Sequence, residues 1–388
     1  MLGERFWPMN VVIDATTLLL RSAGVKNYLH YWLSALVEAA PGCGVTIRAY
    51  PPGLGGARVL DHEKSTVGFL GSLLRLSLVQ FNNIRRNPAI NLCLCKADLF
   101  HCSQHTANLP RRGKVTATVF DLSCWTMPEN HTRENVAATR RYGETILKAA
   151  DGLIAISEHA RKDAVEILRI PEERIRVIYP GIAEPFFRTT KEQASQVRAK
   201  YKLEVPYILF VGCIEPRKNI PGLIRAWRRL PEKLRRDLQL VVAGPFGWAD
   251  EEVRGLLMNS GAGVRYLGYV PEPDLPGLFR GASAFVYPSY YEGFGLPVAQ
   301  ALAVGAPVIV SNRSCLPEIV GGAGLCVDPD SEEALTDAIQ STVTGSESTA
   351  EAVSRGVARA QAFRWPVCAL ESLAFFHDVA GKPATAPG

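Results

Sequence analysis

The segment Ala284-Phe285-Val286-Tyr287-Pro288-Ser289-Tyr290-Tyr291-Glu292-Gly293-Phe294-Gly295-Leu296-Pro297-Val298-Ala299-Gln300 holds a strand, a short loop and the first turn of a helix. Ala284 to Tyr287 is an unbroken apolar run that stops at Pro288, the pattern of a buried strand. Pro297 suits the first turn of a helix running to about Val304, with Gly305 as its stop and Pro307 beyond. One carboxylate, Glu292, and the Gly293-Phe294-Gly295 backbone therefore precede a helix N-terminus. There the amides of Gly295 and Leu296, together with the helix dipole, favour an anionic or hydroxyl-rich ligand. An ordinary strand-to-helix turn has the same outline, so the ligand reading needs corroboration elsewhere.

Outward from this segment, the second half of the chain alternates strands with helices. Strands are expected at Tyr207–Val211, Leu238–Ala243, Val264–Leu267, Ala284–Tyr287, Val308–Ser311 and Leu325–Val327. Helices are expected at Ile220–Arg229, Asp250–Asn259, Asp274–Arg280, Pro297–Val304 and Glu332–Thr344. The first half shows the same alternation. Its strands read at Asn10–Thr16, Ile47–Tyr50, Asp98–Ser103, Val115–Asp121, Leu153–Ser157 and Arg176–Tyr179, and its helices begin at Gly24, Arg133 and Glu158. Such alternation predicts an α/β chain of two successive doubly wound units, each a parallel sheet covered on both faces, with ligands at the carboxyl ends of the strands in a cleft between them. The expected division is 1–187 for the first unit and 188–365 for the second, with a helix near 366–380 completing the first and residues 381–388 a disordered tail.

Composition agrees with this scale. A chain of 388 residues exceeds one ordinary core, and 47% hydrophobic with 21% charged residues is the make-up of a folded protein. A net charge of +5 permits an anionic ligand or membrane surface but falls short of a nucleic-acid signature. The nine cysteines form no Cys-x-x-Cys pair and mostly lie in apolar runs, as reduced buried thiols do. No apolar stretch reaches membrane-spanning length and the first ten residues lack a signal-peptide core, so the expected location is cytoplasmic, with Met9 a candidate start. Phe69 to Arg86 carries a broad apolar face with Arg75, Arg85 and Arg86. It reads either as a core helix with solvated arginines, the favoured reading, or as a surface helix that touches lipid at the inner face of the membrane.

Corroboration for the ligand comes from Phe210-Val211-Gly212-Cys213-Ile214-Glu215-Pro216-Arg217-Lys218-Asn219. A strand ends at Gly212, and Arg217 and Lys218 follow just before the helix from Ile220. Two cations at a strand's carboxyl end suit a diphosphate, which a pair of surface cations elsewhere would not. Gly24 and Lys26 at the start of a first-half helix fit either a phosphate contact or a plain helix start. No P-loop is present, and neither Gly293-x-Gly295 nor the first strand carries a dinucleotide fingerprint. Asp328-Pro329-Asp330 has the outline of a metal-binding pair, but Asp330 followed by Glu333 fits a capping box better, and the seven histidines show no metal-ligand spacing.

The second half resembles the nucleotide-sugar domain of family 4 retaining glycosyltransferases, whose GT-B fold pairs two Rossmann-like units. The resemblance is carried by Gly212–Asn219, Leu267-Gly268-Tyr269-Val270, Ala282–Ala301 and Pro307–Gly322, with echoes at Gly24–Tyr28, Phe120–Ser123, Ile156–Glu158 and Ile178–Gly181. It implies that Arg217 and Lys218 hold the donor diphosphate and that Glu292 bonds hydroxyls of the donor sugar. Backbone at Gly293, Phe294, Gly295 and Leu296 would contact sugar and distal phosphate, and Gly212 would allow close approach. Tyr269 and Val270 would border the base, and Gly24 of the first unit would admit the phosphates. Two positions depart from the family pattern. A second glutamate for the ribose is replaced by Gln300, eight residues after Glu292, and the histidine before Asp121 is replaced by Phe120, which puts the role of Asp121 in doubt.

The expected activity is metal-independent, retaining transfer of a sugar from a nucleoside diphosphate, GDP-mannose as a guess, to a saccharide or lipid-linked saccharide acceptor. No cofactor is implied. Arg217→Ala and Lys218→Ala are expected to abolish transfer with the fold intact. The alternatives are a non-catalytic donor-binding partner of another transferase, which Gln300 and Phe120 would suit, and a GT-B sugar-nucleotide epimerase.

Overall fold

Predominantly apolar runs become the strands of two six-stranded parallel sheets, buried through their central strands. The computed structural model describes residues 8–19, 24–50, 77, 96–104, 106, 109–110, 112–247, 251–258, 261, 263–345 and 347–381. Apart from Ser77, the Phe69–Arg86 segment lies outside the described residues, as does the expected tail after Gly381. Two units divide the chain: one takes the described residues of Met1–Thr126, Arg133–Gly181 and Trp365–Gly388, the other Met127–Thr132 and Ile182–Arg364.

In the first unit, strands β1 (Met9–Asp14), β2 (Val45–Tyr50), β3 (Leu99–Cys102), β4 (Lys114–Val119), β5 (Gly152–Ala155) and β6 (Ile175–Val177) lie in the order β2-β1-β3-β4-β5-β6. Helices Gly24–Ala39 and Trp365–Val379 pack together, and the indole of Trp32 donates to the Ser372 hydroxyl at 3.0 Å. That contact joins the end of the chain to its beginning. The helix expected from Arg133 is α-helical over Arg133–Tyr142 and then widens into a π turn, Gly143–Leu147. Gly143 lies against the Trp125 ring, where a β-carbon would stand 2.7 Å from the indole.

In the second unit, β7 (Tyr207–Val211), β8 (Gln239–Ala243), β9 (Val264–Gly268), β10 (Ala284–Tyr287), β11 (Val308–Ser311) and β12 (Leu325–Val327) lie in the order β12-β11-β10-β7-β8-β9. β7, β8, β10 and β11 are buried at every position, as their unbroken apolar runs require. The segment 182–187, placed by the sequence with the first unit, belongs here. Ile182 donates its N–H to Phe363 O at 2.9 Å, and the buried Phe186 ring meets Phe279 edge-on at 5.8 Å. Helix Glu332–Val343 starts from Ser331, whose hydroxyl accepts the Ala334 N–H at 3.1 Å. Asp330 is therefore not its cap. Asp330 and Asp328 instead grip Arg313, Asp328 at 3.0 Å. No helix among the described residues is long and apolar enough to cross a membrane.

Candidate active site

Strand order reverses at β7, which sends the chain to β8 on one side and lies against β10 on the other. A crevice opens at the carboxyl ends of strands where the order reverses, because the connections leave in opposite directions. The loops after β7 and β10 carry Arg217, Lys218 and Glu292 to that point. After β7, Pro216–Lys218 forms a single 3₁₀ turn, closed by Asn219 in the left-handed region at φ 54°. Asparagine tolerates that conformation, and its Oδ1 then accepts the Gly222 N–H at 3.2 Å to start helix Ile220–Arg229. This turn-and-cap pairing directs both cations toward β10.

The loop after β10 is stitched to the turn. The Tyr290 N–H donates to Arg217 O at 2.8 Å, and Arg217 Nη1 donates to Tyr291 O at 2.9 Å. Glu292 is fixed at its backbone by Ser314, whose hydroxyl accepts its N–H at 3.0 Å, and by Cys315, whose thiol donates to its carbonyl at 3.1 Å. Its carboxylate pairs with Lys218 and lies 3.1 Å from Arg217 Nη1. Lys218 also donates to the Tyr287 hydroxyl at 2.7 Å, and Arg217 Nε lies 3.0 Å from Glu215 Oε2. Lys218, Glu292 and Glu215 are all buried.

Two carboxylates thus face two cations in a buried cluster with no net charge. Burial opposes ionisation of Glu292, but Lys218 and Arg217 overcome it and hold the carboxyl down at about 2. Burial, seconded by the neighbouring Arg217, lowers the Lys218 amine, while Glu292 and Glu215 oppose that shift. Burial also drives the Tyr287 hydroxyl well above its ordinary range, so it stays a neutral partner.

Helix Leu296–Val304 begins beside this cluster. Gly295 takes φ 80° at its N-cap, and a β-carbon there would stand 2.7 Å from Leu316 Cδ2. Only glycine fits both demands. The N–H groups of Gly295 and Leu296 find no acceptor among the described residues. Gln300 lies one turn into the same helix and is half-buried. Gly212 extends β7 by bonding its N–H to Ala243 O at 2.9 Å, and a β-carbon there would make ordinary contact with Phe210 and the Tyr287 hydroxyl. Tyr269 and Val270 follow β9, Tyr269 exposed and Val270 buried.

Gly24 and Asp121 belong to the first unit. Gly24 is exposed at the start of its helix. Asp121 Oδ1 accepts from both the N–H and the hydroxyl of Ser123, at 3.2 and 2.6 Å, and Phe120 meets the Tyr28 ring edge-on at 5.1 Å. The order reversal of this sheet falls between β1 and β3, and there Asp14 is saturated by Thr16, Ser103 and Thr106. A saturated carboxylate offers a ligand little, which contrasts with the cation pair at the equivalent point of the second unit.

Sequence reasoning did not assign roles to Tyr287, Ser314, Cys315 or Glu215. Only Glu215 carried a signal, as an acid three positions past a strand-end glycine and next to the cation turn.

Two doubly wound units of this topology define the GT-B class of glycosyltransferases. Residues 22–184 match the family described as Glycosyltransferase Family 4, and residues 191–358 match Glycosyl transferases group 1. O-antigen chain mannosyltransferase B of Escherichia coli is 36% identical over 270 residues, 68% of this chain and 71% of that protein. The serotype-specific mannosyltransferase WbdA of Escherichia coli is 29% identical over 224 residues, 56% of this chain and 27% of its own length. The crystal structure of Anabaena HepE in complex with UDP and glucose superimposes with a TM-score of 0.69 at 18% identity, covering 94% of this chain and 98% of that one. The chain belongs to the family 4, group 1 glycosyltransferases.

Proposed function

We propose that this glycosyltransferase moves mannose from GDP-mannose to a hydroxyl of a saccharide or lipid-linked saccharide acceptor in polysaccharide assembly, with retention of configuration and without a metal ion. The observation that carries the reading is the buried Arg217–Lys218–Glu292 cluster beside the unpaired amides of Gly295 and Leu296. The likeness to two mannosyltransferases, one of them of an O-antigen chain, supports the choice of sugar and acceptor class.

In this reading the bond between the sugar's anomeric carbon and the diphosphate breaks, and the departing charge falls on Arg217, Lys218 and the two amides. The acceptor oxygen bonds to the anomeric carbon on the same face, and its proton passes to the departing phosphate oxygen. The protein supplies position and charge rather than a nucleophile, and each charged contact to the phosphates is worth roughly 2–4 kcal/mol in the transition state. Glu292 orients the sugar through its hydroxyls, Gln300 reaches the ribose, and Tyr269 with Val270 borders the base.

The test is transfer by the purified full chain, offered GDP-mannose and UDP-glucose with a lipid-linked saccharide primer, with and without chelator. An α-linked mannosyl product formed in the presence of chelator supports the whole reading. Transfer from UDP-glucose alone overturns the donor, an inverted anomer overturns the stereochemistry, and a chain that binds GDP-mannose but neither transfers nor hydrolyses it is a donor-binding partner instead.

A further inference from the structure

Glu215 has no part in the donor chemistry above, yet it is buried at 8% exposure beside the groups that do. A carboxylate next to a diphosphate site repels the ligand, so its presence needs a reason. Its Oε2 lies 3.0 Å from Arg217 Nε, on the opposite edge of the guanidinium from Tyr291 O and Glu292, which take Nη1 at 2.9 and 3.1 Å. A guanidinium is a rigid plane; the ion pair with Glu215 holds its Nε side by charge and the hydrogen bond to Tyr291 O holds Nη1, and together they limit how the plane can turn.

Glu215 is in turn held by its own neighbours. Its carbonyl accepts the Lys218 N–H at 3.0 Å, which closes the cation turn. Gly247 walls in its side chain: a β-carbon there would stand 3.1 Å from Glu215 Cγ and 2.8 Å from Cys213 Sγ. That wall is pinned by Ile214 N–H to Pro245 O at 2.9 Å and Gly247 N–H to Ile214 O at 3.1 Å. A buried ion pair contributes little to stability over an apolar pair of the same shape, so this arrangement is better explained by geometry than by stability.

We infer that Glu215 is a positioning residue, fixing the plane of Arg217 toward the leaving diphosphate. The inference rests on the donor reading proposed above. Glu215→Gln keeps the shape and removes the charge that holds Nε. Its kcat falls roughly 10- to 100-fold, the effect of a misplaced transition-state contact. Its affinity for GDP, measured by calorimetry, falls far less than kcat, because the loss of a repelling charge offsets the displaced Arg217. In an Arg217→Ala background the same substitution has no further effect on kcat. Gly247→Ala, which crowds Cys213 and Glu215 without altering any charge, also lowers kcat, and it serves should Glu215→Gln not fold.

Wild-type kcat in both Glu215→Gln and Gly247→Ala, beside an Arg217→Ala chain that has lost transfer, overturns the positioning role and leaves the donor reading standing. An equal loss from Glu215→Gln with and without Arg217 also overturns it, as does GDP affinity that falls in step with kcat. Wild-type transfer by Arg217→Ala overturns the donor reading itself, and this inference with it.

Discussion

Replacing Lys218 by methionine separates the proposed catalytic use of its charge from its part in the fold. The side chain keeps its length and apolar stem, while the ammonium that meets Glu292 and the Tyr287 hydroxyl disappears. Its partner's carboxyl falls from 4.5 to about 2 on folding, so at about 1.4 kcal/mol per unit what Glu292 gains from its partners exceeds its burial penalty by about 3 kcal/mol. Arg217 supplies part of that gain and remains in the variant, at 3.1 Å. Lys218 is itself buried against its charge, which lowers its amine and offsets the pair from the other side. With Arg217 still beside Glu292, the folding loss falls at the low end of the roughly 3–5 kcal/mol that breaking a buried pair costs, about 6–12 °C in Tm at 2–4 °C per kcal/mol for a unit of this size. Lys218→Ala is a harsher change, because it also leaves a cavity, so methionine is the fair test of an intact fold. Loss of one charged contact to the departing diphosphate removes roughly 2–4 kcal/mol of transition-state stabilisation, which lowers kcat by roughly 30- to 900-fold. The assay is transfer from the nucleotide sugar at saturating donor, beside a melting curve. A folded Lys218→Met chain that turns over within a factor of about three of wild type would refute the reasoning, because no other contact in it scales so directly with rate.

The same carboxyl makes stability depend on pH. Glu292 titrates at about 2 when folded and near 4.5 when unfolded, so its contribution is fully present above pH 4.5 and is lost as pH falls toward 2. Glu292→Gln should flatten that part of the melting temperature profile, and an unchanged profile would show that other groups set it. Gln300→Glu should tighten GDP-mannose binding by calorimetry if the position meets the ribose; identical affinities would place Gln300 away from the donor. Gly295→Ala forces an alanine to φ 80° with its β-carbon 2.7 Å from Leu316. It should cost about 1–2 kcal/mol in strain alone and weaken donor binding, whereas a wild-type Kd would mean that this turn does not contact the ligand.

The strands of the second unit were legible because each is an apolar run between breakers, and β7, β10, β11 and β12 have the bounds that their sequences predict. Two cations after β7 and one carboxylate after β10 were legible for the same reason, since a residue just past a strand end has few places to go. Helix Glu347–Ala360 was not foreseen. Its buried residues include only Gly356 and Ala360, and Gly356 admits Leu302 so closely that a β-carbon would stand 2.9 Å away. A helix that packs through small residues leaves almost no apolar period to read. The partners inside the site were hidden for a different reason. Lys218 meets Tyr287 and Glu292 across 69 and 74 residues, and Glu292 is fixed by Ser314 and Cys315 a further 22 and 23 residues on.

Which strand ends become neighbours is decided by sheet order, and local pattern does not encode it. The order β10-β7-β8 puts the turn after β7 beside the loop after β10. Once that adjacency is known, the charge arithmetic follows: two acids and two cations share one buried site, and neither cation is surplus until a ligand draws a carboxylate away. In the function proposed above, such a site discriminates against a bare anion, which finds no net positive charge, in favour of a ligand that offers hydroxyls to Glu292 while its phosphates take Arg217 and Lys218. A sugar joined to a diphosphate meets both conditions at once.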